Sequence, residues 1–407
     1  MTVFDISSPD QIKDALDWAI SEKQSLSISG NGSKESLGRP MEVAAELRLA
    51  NLSGVRMYEP AELVMKAAAG SSFNEINAVL HENDQQLAFC PPDLGPLLGQ
   101  GAGLGTLGGV FCSNLSGSQR IKMGAARDHL LGVNGFTGRA QAFQTGSRVM
   151  KNVTGYDLCK LVAGSYGTLA VCSEFTFKVL PKPEKLRTVL IFGQEPNAAV
   201  ITMRDAMSSV HEVAAAAYLP EQIAGRTNID YVSNANRAVT AILIDGNGPS
   251  VDFRLNALRS MFDAQGELEE LHSKRSSELW KFVSDVGAYV EDQRRLVWRV
   301  SLPPSDAADY IFRLRQQIED LEYFMDWAGG LLWLSLPEGL EDAGQGIVRS
   351  QIRNGGHATL IRASSDIRSR VEVFQPVDVV KARISEKIRE GFDPYRILNP
   401  ARMYSIG

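Results

Sequence analysis

Cysteine is scarce and dispersed: Cys90, Cys112, Cys159 and Cys172 stand singly in apolar surroundings, with no CxxC pair and no histidine cluster beside them. Buried free thiols are the simple reading. An iron–sulfur cluster needs several thiolates at close spacing, so this chain cannot assemble one locally, and any such cluster belongs to a partner. Histidine is equally thin, with His81, His129, His211, His272 and His357 far apart, and no metal site is expected. Long apolar runs are missing: none approaches the roughly 20 residues that cross a bilayer. An excess of positive charge is missing too. The formal net charge of -6 argues against general attachment to a phosphate backbone, and no nucleic-acid partner is expected. Met1–Asp5 offers neither a basic patch nor an apolar stretch followed by small residues, so a cytoplasmic location is expected.

At 407 residues the chain exceeds one ordinary core, and two domains are expected. Ser7 or Ser8 can cap a first helix with Pro9 in its opening turn and Ile12, Ala15, Leu16 and Ile20 on one face. Leu26–Ser29 then reads as a short strand that runs into Gly30-Asn31-Gly32-Ser33-Lys34. A second strand, Leu63–Ala69, leads to a helix with Phe73, Ile76, Val79 and Leu80 inward. From Cys90 to Gly135 the composition shifts sharply to glycine, interleaved with Leu, Val, Phe, Asn and Arg, which excludes low complexity. An alternating strand at Phe175–Leu180 stops at Pro181 and Pro183, and the domain boundary is placed there.

Beyond Pro183, strands are predicted at Val189–Phe192, Ala214–Leu219, Ala238–Ile244, Val297–Leu302 and Leu331–Leu336. Helices are predicted at Ala198–Ser209, Val251–Phe262, Glu278–Val286, Asp306–Leu321 and Asp342–Asn354. Their order suggests an α+β domain with an antiparallel sheet.

Three glycine-bearing elements carry the chemistry. In Ser29–Ser33 two glycines can take positive φ and turn successive amides toward one point, as a pyrophosphate requires; an ordinary turn is the alternative. The spacing matches neither GxGxxG nor the P-loop, which disfavours a Rossmann site. Gly105–Gly117 places paired glycines where a large anionic cofactor can approach the main chain, with Thr106, Ser113, Asn114 and Ser116 as side-chain donors, or forms a packed corner. Gly167–Val171 again offers amides beside a small residue.

Together these residues resemble the FAD-linked oxidases of the vanillyl-alcohol oxidase type, and within them the FAD-binding subunits of bacterial glycolate oxidases. The likeness runs through Gly30–Lys34 with Leu37–Pro40, Pro91-Pro92, Gly108-Gly109, Arg127-Asp128, Val149–Asp157, Gly164–Gly167, Lys178–Pro181, Gly355–Thr359, Asp393-Pro394, Asn399-Pro400 and Arg402–Tyr404. Val-Met-Lys-Asn-Val-x-Gly-Tyr-Asp is its most specific part.

The resemblance implies an α+β fold: a two-subdomain FAD-binding domain over residues 1–181, a cap over 182–375, and a C-terminal segment, 376–407, that packs back on the FAD domain. It implies that Gly30, Asn31, Gly32 and Ser33 hold the pyrophosphate, and that Pro92, Asp93, Thr106, Gly108, Gly109, Asn114 and Gly117 line the cofactor. Gly167, Thr168 and Val171 would lie beside the flavin or adenine, with Asn399 near the ring. No histidine stands in the first loop, where some relatives attach the flavin, so noncovalent FAD is implied. A larger FAD-binding subunit and an iron–sulfur subunit are the implied partners. A small 2-hydroxy acid, glycolate, is the implied substrate of the complex, and any membrane association would come through the partners. Two alternatives stand beside this: an adaptor with an inert flavin site, and a self-sufficient 2-hydroxy-acid oxidase.

Relatives that oxidise 2-hydroxy acids carry a histidine-rich HxGDGNxH-like cap segment, which this chain lacks. Catalytic candidates are accordingly few. His357 titrates near neutral pH as a base would, although a lone histidine beside Gly355-Gly356 also has a structural reading. Arg299 and Arg362 fall on predicted strands, where a guanidinium can hold a carboxylate or face solvent. Lys151, with Asn152, Tyr156 and Asp157, groups a cation, an amide, a phenol and a carboxylate within one turn-sized segment.

Overall fold

A computed structural model describes residues 2–147, 155–340 and 342–405, and its backbone falls into two compact units. Unit 1 takes residues 1–116, 124–181 and 376–407; unit 2 takes 117–123 and 182–375. A single cut at Pro181 leaves Gly117–Met123 in the first domain, whereas the structure places that heptapeptide in the second. Lys151 and Asn152 lie outside the described residues.

In unit 1, Pro9–Ser21 forms the first helix, with the Gln11 side chain accepting the backbone N–H groups of Ser7 and Ser8, two donors that no helical carbonyl reaches. Ile12, Ala15, Leu16 and Ala19 face inward. Three short parallel strands follow, Thr2–Asp5, Ala45–Arg48 and Leu26–Ser29, in that spatial order. A second, five-stranded antiparallel sheet runs Val55–Glu59, Val64–Ala68, Ala170–Lys178, Leu130–Thr137 and Ala142–Gly146. Its inner face meets the glycine-rich helix Leu107–Ser113. Phe111 there packs against Phe175 and Phe177, with ring centroids 5.1 and 5.6 Å away, and these three with Phe89 centre a fully buried core.

The C-terminal segment returns to the three-stranded sheet. Leu398 bridges Leu26 in parallel, Leu26 N–H donates to Ile397 O at 2.8 Å, and Asn399 N–H donates to Leu26 O at 2.9 Å. The tail thus completes an edge that would otherwise present unpaired backbone.

Unit 2 is built on one antiparallel sheet of eight strands with helices Pro196–Ser208, Gly248–Phe262, Ser273–Ser284 and Ala307–Arg315. The sheet bears out the antiparallel α+β reading. Sequence periodicity runs the fourth helix to Leu321, but it stops at Arg315, and Glu322–Asp326 forms a fully buried strand instead. That strand, EYFMD, carries a charge at each end around three apolar residues, so it gives no clean alternation to read. His357–Arg362 is likewise a strand, at the sheet edge beside Leu296–Ser301. Among the described residues no helix is long and apolar enough to cross a membrane.

Candidate functional site

The first glycine loop lies at the end of Leu26–Ser29, where the strand gives out and backbone amides turn outward. Gly32 has φ +75°, and nothing lies within 4 Å of the space a Cβ would fill there. Gly30 does not share the left-handed backbone. It is glycine because a Cβ would sit 2.5 Å from Thr106 Oγ1. Among the described residues the amides of Asn31, Gly32 and Ser33 take no backbone acceptor. Three unspent donors beside the open space at Gly32 are what an anion nest requires.

A cation that the sequence reading passed over completes it. Lys34 is half-buried, its ammonium donates to Ser33 Oγ at 3.0 Å, and its chain runs against Gly109, where a Cβ would come 2.6 Å from Lys34 Cε. Burial lowers its pKa to about 8; the Asp93 carboxylate opposes that shift and the Arg402 guanidinium adds to it. Arg402 in turn donates to Lys34 O at 2.7 Å, so the tail positions the lysine. The signal was present as the last residue of Gly-Asn-Gly-Ser-Lys.

The glycines of the second element are used differently from expectation. Gly108 N–H donates to Ala69 O at 2.8 Å, and Gly109 N–H goes to the Thr106 hydroxyl at 3.3 Å. Their amides are spent inside the fold, and the missing Cβ atoms are what permit the close approach of Ala69 and Lys34. Asp93 accepts from Gly95 and Gly103 at 3.2 and 2.7 Å and fixes the loop that follows Pro92. Asn114, in left-handed backbone at the helix end, accepts Arg127 N–H at 3.0 Å. Gly117 belongs to unit 2, where its carbonyl accepts the Trp327 indole N–H.

Asn399 joins the remaining pieces. Its Oδ1 accepts Ile28 N–H and its Nδ2 donates to Tyr166 O, each at 2.7 Å, and a Cβ on Gly167 would stand 2.7 Å from that Nδ2. Both halves of the amide are occupied, so Asn399 aligns the first loop with the Tyr166–Gly167 turn. Thr168 closes the same turn through Ser165 O at 2.7 Å, and the Val171 side chain is wholly in the core.

In unit 2 the two arginine candidates part company. Arg362 is buried and donates to three main-chain carbonyls, Arg295 O, Asp292 O and Tyr289 O, at 3.0, 2.7 and 2.6 Å. It staples the Tyr289–Arg295 loop, with each of its three nitrogens donating to a main-chain carbonyl. Arg299 lies with His357 on one face of adjoining strands, Arg299 opposite Thr359 and Ser301 opposite His357. His357 reaches solvent, and crowding by protein together with the positive charges of Arg299 and Arg120 lowers its pKa below the usual value.

Free amides, open space at Gly32 and an inward lysine suit a dinucleotide's pyrophosphate. Residues 2–146 match the family model of the FAD binding domain, so FAD is the cofactor. Over 393 residues the chain is 32% identical to glycolate oxidase subunit GlcE of Escherichia coli, covering 96% of this chain and 95% of that protein. A shorter stretch of 121 residues, 30% of this chain and 25% of the relative, is 33% identical to glycolate oxidase subunit GlcD of Bacillus subtilis. Among solved structures, p-cresol methylhydroxylase superposes with a TM-score of 0.70 at 14% identity, covering 98% of this chain and 88% of that one. An alkyldihydroxyacetonephosphate synthase gives the same TM-score at 16% identity, with 98% and 76% covered. At those identities the likeness shows the fold alone.

Proposed function

The chain belongs to the FAD-linked oxidases of the glycolate oxidase subunit type, and from that premise we propose that it serves as the FAD-binding subunit of a complex that oxidises glycolate to glyoxylate. The observation that carries this reading is full-length relatedness to a glycolate oxidase subunit, joined to a pyrophosphate cradle in unit 1.

Bound FAD supplies a two-electron acceptor for the hydride on the α-carbon of a 2-hydroxy acid. The protein's part is to hold and orient. Asn31, Gly32 and Ser33 present amides to the pyrophosphate, Lys34 balances its charge, and Asn399 keeps the loop in register with Gly167. In unit 2, Arg299 pairs with the substrate carboxylate. With its pKa lowered, His357 is neutral near pH 7 and able to accept the hydroxyl proton. Oxidation of glycolate to glyoxylate removes a hydride, for which FAD would be the acceptor, and a proton, which His357 would take, and a larger flavin subunit and an iron–sulfur subunit would receive the electrons.

Reconstitution tests the proposal: the complex assembled with this chain is expected to form glyoxylate from glycolate, and to lose that activity with Gly32→Val. Unchanged turnover in a Gly32→Val complex shown to lack FAD in this chain would favour an adaptor with an inert site.

A further inference from the structure

The nest amides of Asn31, Gly32 and Ser33 lie between two contacts from the C-terminal tail. Before them, Asn399 Oδ1 accepts Ile28 N–H at 2.7 Å; after them, Arg402 donates to Lys34 O at 2.7 Å. The tail thus holds the loop at both ends. Leu26 is held as well, its N–H donating to Ile397 O and its carbonyl accepting Asn399 N–H. Asp393 sets the shape of the tail: this fully buried carboxylate accepts Ile397 N–H at 3.1 Å and Leu398 N–H at 2.9 Å. Gly138, whose N–H donates to Phe392 O at 2.9 Å, has no Cβ to collide with that carboxylate.

Both sides of this contact are under tension. In the tail, Arg396, Asn399 and Ala401 take left-handed backbone, φ 54°, 41° and 56°, and none is glycine. Such backbone is strained and persists where its surroundings enforce it. In the loop, neighbouring amides turn their positive ends toward one region, an arrangement that an anion stabilises. Charge acts in the same sense. The Arg402 guanidinium lowers the Lys34 pKa while the Asp93 carboxylate opposes it, so the two cations repel each other across the contact that joins tail to loop. A bound pyrophosphate attracts both cations and the nest amides. One anion therefore favours the closed loop and the docked tail together, and by reciprocity a docked tail raises the affinity for that anion.

We propose that residues 393–402 form a clamp whose docking is coupled to FAD: Asn399 and Arg402 are positioning residues that hold the two ends of the nest, and the clamp loosens when FAD leaves. This coupling rests on the pyrophosphate nest described above and requires no particular substrate.

Hydrogen exchange in the full-length chain, FAD-loaded and FAD-depleted, reads the clamp at the amides of Leu26, Ile28 and Asn399. Without FAD those three should exchange at least about tenfold faster, while amides of the five-stranded sheet change little. Arg402→Met should weaken FAD binding by about tenfold at pH 7, the effect of losing one hydrogen bond from a charged group. It should also move the pH above which FAD affinity falls to a higher value, because Lys34 no longer faces a second cation. An unchanged pH profile, with a lower melting temperature of the FAD-free protein as the only effect, would mark Arg402 as structural and overturn its positioning role. FAD uptake with equal exchange in the loaded and depleted forms would overturn the coupling alone, whereas a chain that takes up no FAD would overturn the nest itself.

Discussion

Asn399 lies 371 residues from Ile28, yet its Oδ1 accepts the Ile28 N–H at 2.7 Å while its Nδ2 donates to Tyr166 O at the same distance. One side chain from the tail therefore sets the spacing between the Leu26–Ser29 strand and the Tyr166–Gly167 turn. Asn399→Asp keeps the acceptor and replaces the donor with a second oxygen facing Tyr166 O. An unsatisfied, repelled buried carbonyl costs about 1–3 kcal/mol, so FAD affinity should fall by about tenfold or more. The ratio of flavin to protein absorbance after gel filtration reads this directly; full flavin retention would contradict it.

Gly32 offers a cleaner probe of the pyrophosphate cradle, because no atom lies within 4 Å of its absent Cβ. Gly32→Val places the new side chain in ligand space and strains one left-handed residue by about 1–2 kcal/mol. FAD retention should be lost while the flavin-free protein melts within a few degrees of wild type. Scanning calorimetry alongside flavin content distinguishes this from general unfolding.

Lys34 makes FAD binding depend on pH. Burial has lowered its pKa to about 8 in the free protein, and a bound pyrophosphate would raise it. Below pH 8 the ammonium is already charged and affinity is flat. Above pH 8 binding must take up a proton, so the dissociation constant should rise with pH. Lys34→Met should bind more weakly at pH 7 and lose this rise; fluorescence titration of FAD between pH 6.5 and 9.5 checks both.

Asp326 is fully enclosed, and burial pushes its pKa up to about 7. A carboxyl whose folded pKa exceeds its unfolded value binds more protons when folded, so its contribution to stability is full at acid pH. It is then lost as pH rises from about 4 through 7. Asp326→Asn retains an acceptor for Trp327 N–H and removes the titration. The melting temperature of the variant should gain on wild type as pH goes from 5 to 8.

Arg362 is a strand arginine of unit 2 whose expected role is structural. Arg362→Met leaves three main-chain carbonyls without their donor and should destabilise the protein by at least about 2 kcal/mol, seen in urea unfolding.

Loop order and the motif around Gly30–Lys34 made the flavin half legible in the sequence, since local backbone chemistry there is written in adjacent residues. Three things were not. The role of Gly108 and Gly109 is close packing, visible only once Ala69 and Lys34 are placed beside them. Asp326, Trp327 and Arg120 meet through long-range pairing, and Arg120 arrives on a segment that crosses into the other unit, which no periodicity reports. Arg299 and Arg362 look alike in sequence because a strand position does not reveal whether a guanidinium faces three carbonyls or an aromatic ring.

The most direct test of flavin-dependent 2-hydroxy-acid oxidation is the visible spectrum of the purified chain under anaerobic titration with glycolate, with and without its partner subunits. A yellow protein with one FAD per chain, bleached by glycolate when the partners are present, is the predicted result. A chain that stays colourless after incubation with excess FAD would contradict it.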